Sequence, residues 1–149
     1  MALMRKKGHP GGAIKKRKPL KKKRSRKSLL DQALKAAEEA WKQAIYRRDK
    51  GICQVHGPSC ALPKQADHCR TRTHSWTFLD PRNGTLVCNG LNQAKANGWH
   101  GAAEKIAAVV IDREGRETFD YLFEKRAQPK KWTLEELEQI TCQLNGMFN

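Results

Sequence analysis

The excess positive charge of this chain is confined to one end, which limits how much of it can fold. The 149-residue sequence has a formal net charge of +15, yet residues 1–27 hold 13 lysines and arginines and no acidic residue. The remaining 17 basic residues stand against all 15 acidic ones, so residues 28–149 carry a net charge of only +2. Like charges repel one another and bury no apolar surface. The sequence therefore predicts a disordered basic arm followed by one modest domain.

The natural partner of such an arm is a polyanion, because each phosphate contact releases condensed counterions. We expect residues 1–27 to bind nucleic acid, and the alternatives are a localisation signal or a nonspecific solubility tail. The predicted phosphate-binding residues of the arm are Lys15, Lys16, Arg17, Lys18, Lys21, Lys22, Lys23 and Arg24.

The composition also indicates the cellular compartment of the protein. No apolar run is long enough to span a bilayer, and residues 1–12 lack the apolar centre of a secretory signal, so we expect a cytoplasmic protein without a membrane partner. Five cysteines are an odd number for a disulfide framework. In a reducing compartment they indicate metal ligation or simple burial.

Apolar residues at helical spacing predict a helix at each end of the domain. An apolar stripe predicts a helix that starts at Ser28, with Asp31 completing a capping-box-like start, and ends before Gly51. Thr133 is the predicted N-cap of the last helix, and Glu136 completes its capping box.

The centre of the chain is predicted to form a strand, a loop, a second strand and a helix. Short strands are predicted near residues 65–70 and 85–88, followed by a short helix over residues 89–97. Further helical segments are predicted within residues 102–126. The fold class is therefore a small α+β domain whose core lies at about residues 52–98.

The two predicted strands, their loop and the following helix carry residue types that could together hydrolyse a phosphodiester. A histidine such as His68 can take a proton from water at neutral pH. Asp67 and Asn92 offer oxygen ligands for one hard divalent cation. Both neighbours on a strand reach one site only if the strand ends or bends there. Asn83, in the turn Asp80-Pro81-Arg82-Asn83, can hydrogen-bond across the loop and orient the His68 ring.

Three cations flank this group and are candidates for holding phosphates: Arg70, Arg72 and Lys95. With them, the segment contains an acid–histidine pair, an Asp-x-x-Asn turn, a strand that ends in Cys88, and Asn92 followed by Lys95. In this order, residues 65–97 resemble the HNH endonuclease family, whose fold is the ββα-metal finger. The resemblance covers about a quarter of the chain.

The resemblance implies a metal-dependent nuclease acting on double-stranded or branched DNA and leaving 3′-hydroxyl and 5′-phosphate ends. It assigns His68 as general base, Asn83 as the residue that orients it, and Asp67 and Asn92 as metal ligands. The string is also similar to small phage-borne members with basic arms, which act in recombination or DNA processing. Many members have histidine where Asn92 stands, and an amide oxygen favours Mg²⁺ or Mn²⁺.

Many HNH proteins also carry a structural zinc held by two Cys-x-x-Cys knuckles. Here the second knuckle reads Cys88-Asn89-Gly90-Leu91 and lacks its last cysteine. Cys53, His56, Cys60 and Cys88 would still form a four-ligand zinc set of acceptable type. The alternative is that these cysteines pack in the core without metal.

Two other function classes remain open. One is a non-catalytic basic nucleic-acid-binding protein with a zinc-finger-like core, and the other is a ribosomal-type RNA-binding protein, suggested by the arm alone. The joint presence of His68, Asn83 and Asn92 argues against both, because a pure binder does not need all three. The sequence identifies no protein partner.

Overall fold

The computed structural model describes residues 26–70, 75–99 and 101–148. Over these ranges the chain forms five α-helices and one antiparallel sheet of two strands, which confirms the mixed α+β class. The elements are α1 (Arg26–Arg48), β1 (Lys64–His68), β2 (Gly84–Cys88), α2 (Asn89–Ala96), α3 (Ala102–Glu114), α4 (Arg116–Lys125) and α5 (Leu134–Gly146). A single 3-10 turn, Pro81–Asn83, leads into β2.

The first helix begins earlier than predicted. Since α1 starts at Arg26, Ser28 lies inside its first turn, where its hydroxyl accepts a hydrogen bond from Gln32. The predicted N-cap at Ser28 is therefore wrong, because Arg26 and Lys27 are good helix formers and already belong to the helix. Two residues of the predicted arm belong to α1, and residues 1–25 lie outside the described ranges. The helix ends as expected, since Gly51 follows it with a φ of 68°.

The two terminal helices share the larger core. Small and apolar side chains along one face of α1 pack against α5 and β2 in one buried cluster. Its fully buried members are Ala37, Trp41, Ala44, Ile45, Leu86, Leu137 and Leu144. The predicted capping box of α5 is confirmed: Thr133 Oγ1 accepts from the Glu136 amide at 3.2 Å, and Glu136 Oε2 accepts from the Thr133 amide at 2.9 Å.

The sheet places the predicted site at the end of a strand. Lys64 pairs with Cys88 at one end of the antiparallel register and His68 pairs with Gly84 at the other. β1 therefore ends at His68, two residues before the predicted end at Arg70. β2 is buried throughout and continues directly into α2, which gives the order strand, strand, helix.

A buried ion pair joins α1 to the start of β2. Asp49 is 6% exposed, and its Oδ2 accepts from the Leu86 amide at 2.8 Å. Arg48 contacts Asp49 at 2.7 Å and donates to the carbonyls of Pro81 and Gly84, each at 2.8 Å. These bonds satisfy otherwise unpaired backbone groups and hold the helix end against the strand.

The remaining helices cover the other face of the sheet. One cluster joins Val87 and Leu91 to Ile106 of α3, and a smaller one joins α3 to α4 through Val110 and Leu122. Among the helices of the described ranges, none has both the length and the apolar content needed to cross a membrane.

Candidate metal and catalytic sites

Three of the predicted site residues line one cavity. Asp67 and His68 at the end of β1 and Asn92 on α2 face an open space of about 440 Å³. The opposite wall belongs to α1 and consists of Glu38, Glu39, Trp41, Lys42, Gln43 and Tyr46. The proposed base and both proposed oxygen ligands therefore meet where β1, α1 and α2 come together.

His68 is held rigidly at the edge of this cavity. The side chain is only 6% exposed, and its ring lies parallel to Trp41 with centroids 4.0 Å apart. Phe78 stacks against it at 5.3 Å. His68 Nε2 lies 2.8 Å from the Phe78 carbonyl. Because a carbonyl oxygen can only accept, Nε2 carries the proton, and Nδ1 is the basic nitrogen of the neutral ring.

Asn83 holds the loop that positions His68. The side chain is fully buried, accepting from the Arg70 amide at 2.9 Å and donating to the Thr77 carbonyl at 3.0 Å. These two bonds tie the end of β1 to the segment that supplies the Phe78 carbonyl. Asn83 thus reaches across the loop as expected, and its bonds act on His68 through the backbone of the loop.

Asp67 has a cationic partner on α2. Lys95 forms an ion pair with the Asp67 carboxylate and also donates to the His68 carbonyl at 2.7 Å. Asn92 lies one helical turn earlier on the same helix, so the amide and the ammonium share a face. Lys95, predicted to hold phosphate, therefore lies next to Asp67 and His68 and compensates the charge of the Asp67 carboxylate.

A second group of ligands lies at the other end of β2. Cys53, His56, Cys60 and Cys88 bring one ligand atom each to within 4.8 Å of the others. Cys88 Sγ lies 3.3 Å from His56 Nδ1, and the His56 amide donates to Cys53 Sγ at 3.4 Å. Two thiols are buried, one is half-buried and the imidazole is exposed. This group could hold a metal ion such as zinc.

The two buried thiols differ in electrostatic environment. Burial raises the pKa of Cys53, but hydrogen bonds from the backbone amides of His56 and Val55 outweigh it, and the net pKa is lowered. Burial raises the pKa of Cys88, and the neighbouring Cys53 and Cys60 raise it further. Thiolates are thus disfavoured at Cys88 unless a cation compensates their charge.

The remaining predicted phosphate contacts divide into two groups. Arg70 stacks on α4, with its guanidinium 4.1 Å from the Phe119 ring and 4.6 Å from Phe123. Arg72 and the eight named arm residues lie outside the described ranges.

One wall of the cavity is not predicted from the sequence. The α1 stripe predicts a core helix correctly, but Trp41 and its neighbours Lys42 and Tyr46 also face Asp67 and His68. No local signal identifies this role, because periodicity predicts which face is buried and not which distant residue it meets.

Comparison with known proteins found no match. No protein-family model matches the sequence, and neither a curated protein nor a solved structure matches it. The functional conclusion accordingly depends on the residues and their geometry.

Proposed function

We propose that this chain is a divalent-metal-dependent endonuclease of HNH type that hydrolyses phosphodiester bonds in DNA. The observation that supports it is the shared cavity at which Asp67, His68 and Asn92 meet. In this proposal the imidazole of His68 takes a proton from the attacking water. Asp67 and Asn92 hold Mg²⁺ or Mn²⁺, which neutralises charge that develops on the phosphate.

The contacts around His68 support its assignment as the base. A general base needs a defined tautomer and a fixed ring, and the Phe78 carbonyl and the Trp41 ring supply these. Asn83 is a positioning residue in this scheme, because its two hydrogen bonds hold the loop that supplies the Phe78 carbonyl. Lys95 adds positive charge beside the carboxylate where a phosphate would arrive.

For the second group of ligands we propose a structural zinc. An ion bound by Cys53, His56, Cys60 and Cys88 would join the loop after α1 to the end of β2. Because α2 starts at the next residue, the same ion would also steady the helix that carries Asn92. The zinc would therefore support the catalytic geometry without taking part in the reaction.

Nicking of supercoiled plasmid DNA tests the function. We expect nicking with Mg²⁺ or Mn²⁺ and none with chelator, and His68→Ala should lower the rate by about a hundredfold or more. His68→Gln retains an N–H donor for the Phe78 carbonyl and fills more of the space than alanine does. It therefore separates loss of the base from loss of packing around residue 68. Gln43→Ala is the matched control, because Gln43 lines the same cavity and has no role in the proposed chemistry.

The outcomes discriminate between the function classes. Near-normal nicking by both His68 variants, in protein free of contaminating nuclease, would show that another group is the base. DNA binding without nicking in any metal would favour the non-catalytic nucleic-acid-binding protein. Equal DNA affinity of wild type and His68→Gln is expected, since His68 is buried and contributes little to binding.

A further inference from the structure

A cluster of arginines stacks on the phenylalanines of α4. Arg70, two residues after the end of β1, lies over both Phe119 and Phe123. Arg126, at the end of α4, lies 4.0 Å from the Phe123 ring. Arg116 approaches Phe119 at 5.8 Å. We call Arg70 and Arg126 with their two phenylalanine rings the arginine stack. It brings two guanidinium groups against the same ring.

Within the described residues, no direct ion pair compensates the positive charge of this stack, although Asp120 lies near enough to act on Arg70. Arg116 pairs with Asp120 at 3.0 Å, whereas over the described ranges no carboxylate pairs with Arg70 or Arg126. Arg70 Nε is buried and meets no hydrogen-bond acceptor among the described residues. Burial lowers the pKa of Arg70 and the nearby charge of Arg126 lowers it further, whereas Cys69 and Asp120 act in the opposite direction. Two neighbouring guanidinium groups without a paired carboxylate would stabilise an anion at this surface.

The chemistry of the stack suits phosphate. A guanidinium packed flat on an aromatic face keeps its N–H groups at the edge of the plane, where they can donate in pairs. The rings also restrict both side chains before any ligand arrives, which reduces the entropy lost on binding. Paired donation from a planar cation matches the oxygens of a phosphodiester.

The position of the stack indicates a polymeric ligand. Arg70 is two residues beyond His68, so the stack adjoins the strand end that carries the proposed base. The same chain carries 13 basic residues in positions 1–27, which favours a long polyanion over an acidic protein surface. We propose that the arginine stack binds the phosphodiester backbone of a nucleic acid next to the end of β1. This inference rests on the proposed function.

Single substitutions at the end of α4 test the proposal. Arg126→Ala is compared with Arg126→Lys and with Lys125→Ala, which removes the adjacent charge without touching either ring. Affinity of the full-length chain for a short DNA duplex is measured without added Mg²⁺ or Mn²⁺ over a series of salt concentrations. Arg126→Ala should lower affinity about tenfold and reduce the salt slope by about one, the value for one lost phosphate contact. Lys125→Ala should retain the wild-type slope.

The other variants check the geometry. Arg126→Lys retains the charge but not the planar fork, so it should keep the salt slope and lose affinity. Phe123→Leu keeps apolar volume at a half-exposed position and should weaken binding in the same direction. Thermal melting of each variant checks that its fold is intact.

Three results would overturn the proposal. They are an unchanged salt slope in Arg126→Ala, an equal effect of Lys125→Ala, or an equal loss of affinity for polyglutamate, which would indicate an acidic protein partner. Because binding is measured without added Mg²⁺ or Mn²⁺, its result is separate from nicking. A chain that binds through the stack but does not nick disproves the nuclease proposal alone, whereas nicking with a wild-type slope in Arg126→Ala disproves the stack alone.

Discussion

His68 illustrates how much of a residue's chemistry depends on neighbours far away in sequence. Its ring is parallel to Trp41, 27 positions earlier, and its proton is directed by the Phe78 carbonyl. An acid–histidine pair occurs in many chains, but a histidine with a determined tautomer and a restrained ring is a specific arrangement. At the scale of the residue, the interpretation as a base is supported by these contacts.

The group of Cys53, His56, Cys60 and Cys88 predicts the metal content of the protein. Elemental analysis of full-length protein should find about one zinc per chain, and Cys88→Ser should remove most of it, because a hydroxyl replaces a buried thiolate ligand. Cys142→Ser is the control, since Cys142 is exposed and lies outside the ligand group. Chelation should lower the melting temperature of wild type and leave that of Cys88→Ser nearly unchanged.

A folded wild-type protein without zinc would contradict this prediction. The cysteines would then be ordinary packing residues, as the alternative from the sequence states. Equal zinc in wild type and Cys88→Ser would instead remove Cys88 from the ligand set while leaving the other three ligands in question.

At the scale of elements, the closeness of α1 and β2 decides where the cavity lies. A Cβ at Gly84 would come 2.5 Å from Trp41 Cζ2 and 2.6 Å from Ile45 Cδ1. Glycine is therefore needed here for close approach, and its φ of −105° shows that it is not needed for an unusual backbone conformation. Because Gly84 pairs with His68 and touches Trp41, the same contact sets the gap in which the imidazole stacks.

Gly84→Ala should consequently destabilise the protein. Overpacking a dense core costs about 1–3 kcal/mol, so the urea midpoint should fall with little change in slope. The nicking rate should fall too, since Trp41 has to move. Gly146→Ala is the matched control, because a Cβ there meets no atom within 4 Å. Equal stability of wild type and Gly84→Ala would mean that α1 and β2 are less tightly packed than described.

At the scale of the whole molecule, the charge is divided between arm and domain. The sequence predicts that residues 1–27 bind phosphates and bury nothing, while the described domain contains the cavity and the arginine stack. Phosphate contacts position a protein without specifying a sequence. The arm should accordingly contribute affinity, and the domain should contribute chemistry.

Removal of residues 1–25, which leaves α1 intact from Arg26, tests this division. Affinity for DNA should fall to a similar extent for unrelated sequences, and its salt dependence should flatten, because fewer counterions are released. The melting temperature and the cleavage rate at saturating DNA should not change. Replacement of the same segment by a neutral linker of equal length controls for the loss of length. An unchanged salt slope would indicate another role, such as binding a protein.

Local signals were enough for part of this architecture. The capping box at Thr133 and Glu136, the end of α1 before Gly51, and the order of two strands and a helix all follow from neighbouring residues. Each depends on contacts within a few positions, and such contacts are visible in a sequence. The start of α1 was less determined, since Ser28 can cap a helix or continue one.

By itself, therefore, the sequence determined the charged arm, the α+β class, the element order and a set of cysteine and histidine ligands of suitable type. Only the tertiary structure decided that α1 forms a wall of the cavity, that Trp41 stacks on His68, and that Arg70 lies on the phenylalanines of α4. The physical reason is that periodicity identifies a buried face but not its partner. The partner depends on packing between elements, which a position as small as Gly84 controls.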